Sequence, residues 1–373
     1  YASWHWAFLI NVPIAIAVVI GVLLLVPETK DTVDKRGIDP SGTLLGTLGL
    51  AALVFGLIEG QNYGWISPKK PFTIGGWTWP LDNISAPGVA LILAVVLLAA
   101  FVWVEARRKA AGKVVMVDLG LFNIRTFGVG NAVAAIVSLG EFGLLFILPL
   151  FLQSVVGYDA LETGVILLAL ALGSFIASGV GAGLARKIGP VPVLRLGMAL
   201  EVIGVLAIAL VLNPTVSGWA MAPGLFIYGL GVGFATAQLT GVILAEVPVA
   251  ESGMASAVQS TSRQVGAAIG TALLGAVLVT GLGSITGDLT ERGVPQAAAE
   301  QVTEVVQTTA GTAVAKLPEQ PNGDVLFAGA GEGFANAARD VGFVAALLIA
   351  LGLGAAFFLP RDAARTEAAG YAE

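Results

Sequence analysis

The sequence predicts an all-α protein that crosses a membrane about nine times, and three observations predict it. Of its 373 residues, 56% are hydrophobic and only 12% charged, against roughly 25% charged in an ordinary soluble domain. Apolar runs of about 17 to 25 residues recur from end to end, each long enough to cross a hydrocarbon core of roughly 30 Å as a helix. The basic residues between those runs fall mostly on alternate loops, as membrane orientation requires.

In chain order the spans are expected at 5–27, 43–60, 88–105, 127–152, 161–185, 191–212, 217–245, 264–283 and 341–359. The first, in YASWHWAFLINVPIAIAVVIGVLLLVPETK, is too long for a signal-peptide core, is interrupted by Asn11 and Pro13, and lacks a small-residue cleavage site. Trp4, Trp6, Trp65, Trp77, Trp79, Trp103 and Trp219 fall at or near predicted span ends, the pattern of an interfacial aromatic belt. Lys30, Lys35, Arg36, Arg107, Arg108, Lys109, Lys113, Arg125, Arg186, Lys187, Arg195, Arg263, Arg361 and Arg365 lie on one side. Lys69, Lys70, Arg292, Lys316 and Arg339 lie on the other, so the first side is cytoplasmic, the N-terminal residue is outside and the C-terminus inside. An odd number of spans starting outside implies that further spans precede this chain.

Two segments do not span. Residues 61–87 are turn-rich and aromatic, an external loop; residues 284–340 are the longest polar stretch, in which 295–317 are expected to form an external helix. Glycines four apart, Gly42/Gly46, Gly179/Gly183, Gly229/Gly233 and Gly266/Gly270, predict close helix packing.

The chain has no cysteine and a single histidine, His5. Disulfides and thiolate metal sites are excluded, and no carboxylate cluster has metal-ligand spacing. Neither metal nor cofactor is expected. The net charge of -6 and scattered basic residues give no nucleic-acid footprint. No Walker lysine, nucleophile motif or acid pair in a soluble segment appears, so neither an enzyme nor an ATP-driven pump is expected.

Ionisable groups deep in a membrane are costly and so are functional candidates. Glu141, in SLGEFGLLF, lies about 21 Å into its predicted span, sharing a face with Ser138 and Ala134. It reads as a proton carrier or a recognition point for a cationic substrate, or else as a protonated side chain bonded to a neighbouring helix. Glu201, in GMALEVIGV, lies near the bilayer middle with Arg195 on the opposite face, and is either functional or packed against a neighbour. Gln153, Gln238 and Gln259 line a cavity or bond helices together. Glu59, Glu105 and Glu246 stand at span ends, where carboxylates reach water. Arg263 is expected at the cytoplasmic face as an anchor, with a gating role open; His5 reads as an interfacial residue. Pro13, Pro149, Pro192 and Pro223 bend or start helices.

Four stretches carry a family likeness: WHWAFLINVPIAIAVVIGVLLLVPET; LFNIRTFGVGN with LPLFLQSVVGYDALETGVILL; GAGLARKIGPVPVLRLG; and GMASAVQSTSRQVGAAIGTALLG. They resemble, in order, the sixth span, the ninth span with the turn after it, the cytoplasmic loop between tenth and eleventh, and the start of the thirteenth in the EmrB/QacA-type drug:proton antiporters. These are fourteen-span members of the major facilitator superfamily. The resemblance implies a partial facilitator bundle. Residues 1–27 are the last span of an N-terminal bundle, 28–126 hold two extra linker spans and loops, 127–360 form a C-terminal six-helix bundle with external loop 284–340, and 361–373 form a cytoplasmic tail. It implies that about five spans are missing upstream, and that this N-terminal bundle is required for transport. GLARKIG resembles a degenerate second copy of the family's loop signature, with Arg186 where an acid would stand, so Arg186 and Lys187 are assigned to gating or anchoring by charge. The implied function is proton-coupled efflux of drugs or toxic hydrophobic and cationic compounds across a bacterial cytoplasmic membrane. Its partners are a small-molecule substrate, protons and the lipid bilayer. The proton and substrate path is assigned to Glu141, Glu201, Gln153 and Gln238. Alternatives are an exporter of one endogenous metabolite (antibiotic, siderophore or lipid) and an inactive truncated membrane fragment.

Overall fold

The computed structural model describes residues 9–25 and 37–360. Trp4, His5, Trp6, Lys30, Lys35, Arg36, Arg361, Arg365 and the expected tail lie outside the described residues. Contacts divide the chain into two units at residue 36. The first contains one described helix, α1 (Asn11–Leu25), apolar and with no buried residue. Pro13 stands in its first turn, where its missing N–H has no helical partner to lose.

The second unit is helical apart from one short hairpin. Asp39 caps α2 (Pro40–Tyr63) by accepting from the Gly42 N–H at 2.9 Å, and the buried glycines Gly42, Gly46, Gly49, Gly56 and Gly60 form one face packed on α3 (Ala86–Ala110). Between them β1 (Thr73–Ile74) pairs with β2 (Trp77–Thr78) across Gly75 and Gly76, both at positive φ, the backbone a two-residue hairpin turn needs. This is the expected external loop, with a small sheet that its aromatic composition did not predict.

Six long helices follow: α4 (Arg125–Ser154), α5 (Ala160–Ile188), α6 (Pro190–Val211), α7 (Gly218–Leu244), α8 (Ser252–Gly281) and, after the external segment, the last helix α11 (Gly323–Ala356). The external segment holds α9 (Ile285–Glu291) and α10 (Gln296–Thr308). α10 supplies the expected external helix, but Gly311 at φ 91° breaks it and residues 312–319 form a 3-10 turn. Helix α4 packs along α8 and α11, α7 lies between α5 and α6, and α11 also touches α6. Eight helical segments among the described residues are long and apolar enough to cross a membrane. Large apolar side chains such as Leu172, Phe175 and Val180 stand exposed on α5, as lipid-facing surface does and water-facing surface rarely does. The chain is a multi-pass, all-α membrane protein.

Two helices begin well before their predicted spans. α8 starts at Ser252 rather than 264, and within its polar first part Thr261 and Ser262 donate their hydroxyls to the Ala257 and Val258 carbonyls at 2.9 and 3.0 Å. Back-bonding of this kind satisfies the hydroxyls inside the helix at a small cost in its stability. α11 starts at Gly323 rather than 341. Its first turns carry Asp324 and Glu332 outward, Arg339 donates to the Leu212 carbonyl at 2.7 Å, and buried Gly329, Gly333 and Phe334 pack on Leu289, Ile285 and Phe151.

The small-residue expectation divides. Gly266 and Gly270 lie against the backbone of Ala135 and Leu139 on α4, and Gly229 and Gly233 against Leu170 and Ser174 on α5. Gly42 and Gly46 meet Glu105 and Phe101, whereas Gly179 and Gly183 face open space.

Candidate functional site

The interior is not continuously apolar. One buried hydrophobic cluster reaches Val137 on α4, Met198 on α6 and Ala235 on α7. A second begins at Leu144, Val205 and Tyr228 on the same helices. Between them lies a polar layer: Ser138 and Glu141 on α4 and Glu201 on α6, with the Tyr228 hydroxyl of α7 beside it. Glycine makes this layer dense. A Cβ on Gly204 would stand 2.5 Å from the Tyr228 nitrogen, and one on Gly231 would stand 2.5 Å from the Glu201 nitrogen. No larger residue fits the seam between α6 and α7 without moving backbone.

Glu141, near the middle of its 30-residue helix, is 4% exposed, and Glu201 is fully buried. Arg263 reaches Glu141 from α8, its Nη2 lying 3.6 Å from Oε2. Because α8 begins at Ser252, Arg263 stands about 16 Å along it instead of at its start. The charges of Glu141 and Arg263 both act on Glu201, and those of both glutamates act on Tyr228. Five polar atoms here have no hydrogen-bond partner among the described residues: Ser138 Oγ, Glu141 Oε1, both Glu201 carboxyl oxygens and the Tyr228 hydroxyl. Buried polar atoms are normally satisfied, and a group of exceptions marks a place where protons, water or ligand atoms are accommodated.

The other expected residues are elsewhere. Gln153 is exposed near the end of α4. Gln238 is buried, its amide near the Cβ position of Gly181 on α5, while Gln259 donates to the Thr240 hydroxyl at 2.8 Å and ties α8 to α7. Arg186 and Lys187 occupy the last turn of α5, where cations offset the helix dipole, and flank a hollow of about 540 Å³ open to Gly179 and Gly183. Arg195 donates to the Ala356 and Leu359 carbonyls at 3.1 and 3.0 Å, tying α6 to the end of α11.

The span-end carboxylates differ from expectation at one position. Glu59 and Glu246 accept from Asn62 and Thr126 at 3.2 and 3.1 Å. Glu105 does not reach water: it is 1% exposed, accepts from the Val117 N–H at 3.2 Å, and lies beside Asp39, whose Oδ2 is 3.0 Å from Arg108 Nε. Burial opposes ionisation of Asp39, but the Gly42 N–H, the Ser41 hydroxyl, the Glu105 carboxyl and the Arg108 charge together hold its pKa below the ordinary 3.8. Close by, Lys109 pairs with Asp118.

One member of the cluster, Tyr228, escapes sequence reasoning, and so does the pairing of Arg263, which is expected there only as an anchor or gate. Tyr228 stands in the middle of an apolar span, not at an interface where tyrosine is usual, and that placement was its signal. The Arg263 pairing was hidden by the polar run before it, although Ala255, Gln259 and Gly266 recur at helical spacing.

Residues 1–271 match the family described as the Major Facilitator Superfamily. Over 314 residues the chain is 30% identical to the probable actinorhodin transporter of Streptomyces coelicolor, covering 82% of this chain and 50% of that protein. It is 32% identical over 294 residues to the multidrug resistance protein Stp of Mycobacterium tuberculosis, covering 79% and 50%. It is 26% identical over 289 residues to the tetracenomycin C resistance and export protein of Streptomyces glaucescens, covering 77% and 49%. The chain spans about half the length of the curated relatives it matches.

Proposed function

We propose a function on the premise that this chain belongs to the major facilitator superfamily: it acts in proton-coupled export of hydrophobic or cationic compounds across a bacterial cytoplasmic membrane, its C-terminus inside. Residues 127–360 are the C-terminal bundle, 28–126 the linker and 1–27 the last span of an N-terminal bundle. Transport needs that second bundle, against which this one rocks around a midplane cavity.

The observation that carries the reading is the Glu141–Arg263 pair beside the unpartnered Glu201. With both carboxyls ionised, the three groups hold a net negative charge away from water, which is costly; one proton makes them neutral. A proton arriving at Glu141 frees Arg263, and a proton leaving restores the pair. The polar layer is thus a charge switch whose state a proton or a cationic substrate sets. Gln238 borders the path from α7, and Arg186 and Lys187 act at the cytoplasmic gate.

A second reading, export of one endogenous product, is favoured by the names of the Streptomyces relatives, which concern actinorhodin and tetracenomycin C. The test is accumulation of a fluorescent cationic dye in cells expressing the complete gene, with and without a proton ionophore. Wild type lowers dye accumulation, and both the ionophore and Glu141→Gln abolish the effect. Export indifferent to ionophore and to Glu141→Gln would overturn proton coupling at this site; absence of dye export beside active export of actinorhodin or tetracenomycin C would select the second reading.

A further inference from the structure

Outside the polar layer, a second arrangement of charge lies at the opposite edge of the apolar helices. At the end of α2, Gly64 at φ 96° turns the chain back, and the loop behind it is pinned at three points. Lys69 N–H donates to the Tyr63 carbonyl at 2.9 Å, Ser85 N–H to Ile66 at 2.8 Å and the Ser85 hydroxyl to Gly64 at 2.7 Å. Lys69 and Lys70 are thereby held over a cleft of about 570 Å³ between the ends of α2 and α8 and the external helix α10. The Gln61 amide donates to the Ala272 carbonyl at 2.7 Å and the Gln307 amide to the Val279 carbonyl at 3.0 Å, fixing the two sides of the cleft to α8.

Its chemistry is divided. Trp65, Ala276 and Val279 supply apolar wall, and the two ammonium groups supply charge. Lys70 Nζ sits 4.9 Å above the Tyr63 ring, and neither lysine has an ion pair among the described residues. The acids in the neighbourhood form no ion pair with them among the described residues. Asp82 lines an adjoining pocket of about 300 Å³ with both lysines but forms no ion pair, and Glu59 is engaged by Asn62. The cleft lies at the ends of two membrane-length helices, the level of lipid headgroups, where aromatic rings and long cationic side chains concentrate. A cationic compound is repelled there. An anionic phosphate attached to an apolar body satisfies both halves.

We propose that this cleft binds the phosphate headgroup of an anionic phospholipid, with Lys69 and Lys70 as its counter-ions and the Trp65–Val279 wall against its upper acyl region. The bound lipid adds a bridge between the linker hairpin α2–α3 and the bundle at α8 and α10, beside the packing of α2 on α8 and the Gln61 hydrogen bond.

The test is native mass spectrometry of the delipidated full chain titrated with phosphatidylglycerol or phosphatidylcholine, wild type beside Lys69→Gln/Lys70→Gln and Lys69→Arg/Lys70→Arg. Phosphatidylglycerol binding weakens roughly 30-fold in the glutamine variant, is kept in the arginine variant, and phosphatidylcholine binding is unchanged. Inorganic phosphate and glycerophosphoglycerol serve as competitors: failure of both at millimolar concentration identifies the lipid as occupant, and displacement by either identifies a site for the free phosphate group. Equal phosphatidylglycerol binding by wild type and the glutamine variant would overturn the proposal. Dye export plays no part in this readout, so the proposal stands or falls separately from proton coupling.

Discussion

Replacing Arg263 by methionine keeps most of the side-chain volume and removes the cation facing Glu141. At the 3.6 Å separation the two unit charges attract by about 5 kcal/mol at an effective dielectric of ~20. The Arg263 side chain is 29% exposed, so water screens part of that attraction and roughly 2–3 kcal/mol is expected to survive as coupling. Arg263→Met alone leaves Glu141 buried and unpaired and should cost about 3 kcal/mol. Glu141→Gln alone should cost about 1 kcal/mol, because Arg263 retains access to water. The double variant removes both charges of the pair, leaving neither of them stranded, and should recover most of the loss. The assay is reversible denaturation of purified protein in mixed micelles at neutral pH, run on all four members of the cycle. Losses that add to within about 0.5 kcal/mol would show that the two side chains do not interact, and the charge-switch reasoning would fail with them.

Gly204→Ala places a methyl group 2.5 Å from the Tyr228 nitrogen and should destabilise the protein by about 1–3 kcal/mol in the same assay; Gly179→Ala, with open space around it, should be neutral or stabilising by up to about 1 kcal/mol. The pKa of Asp39 is depressed in the fold, so its ionised form stabilises above the ordinary value of 3.8 and that contribution is lost as pH falls through the lower folded value. Asp39→Asn should therefore lower the unfolding temperature between about pH 6 and 8, and the gap to wild type should close below about pH 4. A gap that persists unchanged to acid pH would mean that Asp39 acts through packing rather than charge.

The fold was legible where one physical requirement governs a whole segment. Burying a backbone in hydrocarbon demands a long, charge-free helix, so α2 to α7 appear within a few residues of their expected bounds. The starts of α8 and α11 were not legible by that rule. Ser252–Gln264 is helical although polar, its hydroxyls bonding back to the backbone, and residues 323–340 turn a small-residue face to α9 and a charged face outward. The first rests on bonds one turn back that hydropathy does not register, the second on partners in a different helix, α9.

The candidate site divides along the same line. The depth of Glu141 and Glu201 follows from counting residues along a span, so the sequence by itself determined that two carboxyls lie within the membrane, along with the all-α class and the number and order of spans over α2 to α7. Only the tertiary structure decided that Glu141 meets Arg263, that Glu201 and Tyr228 share its layer, that Gln153 stays outside it, and that Glu105 is sealed against Asp39. The physical reason is that hydropathy is a property of each segment, whereas pairing across helices is set by which small residues let two backbones approach. Gly204 and Gly231 bring α6 and α7 together, Gly266 and Gly270 bring α8 onto α4, and the charges meet where those seams hold them.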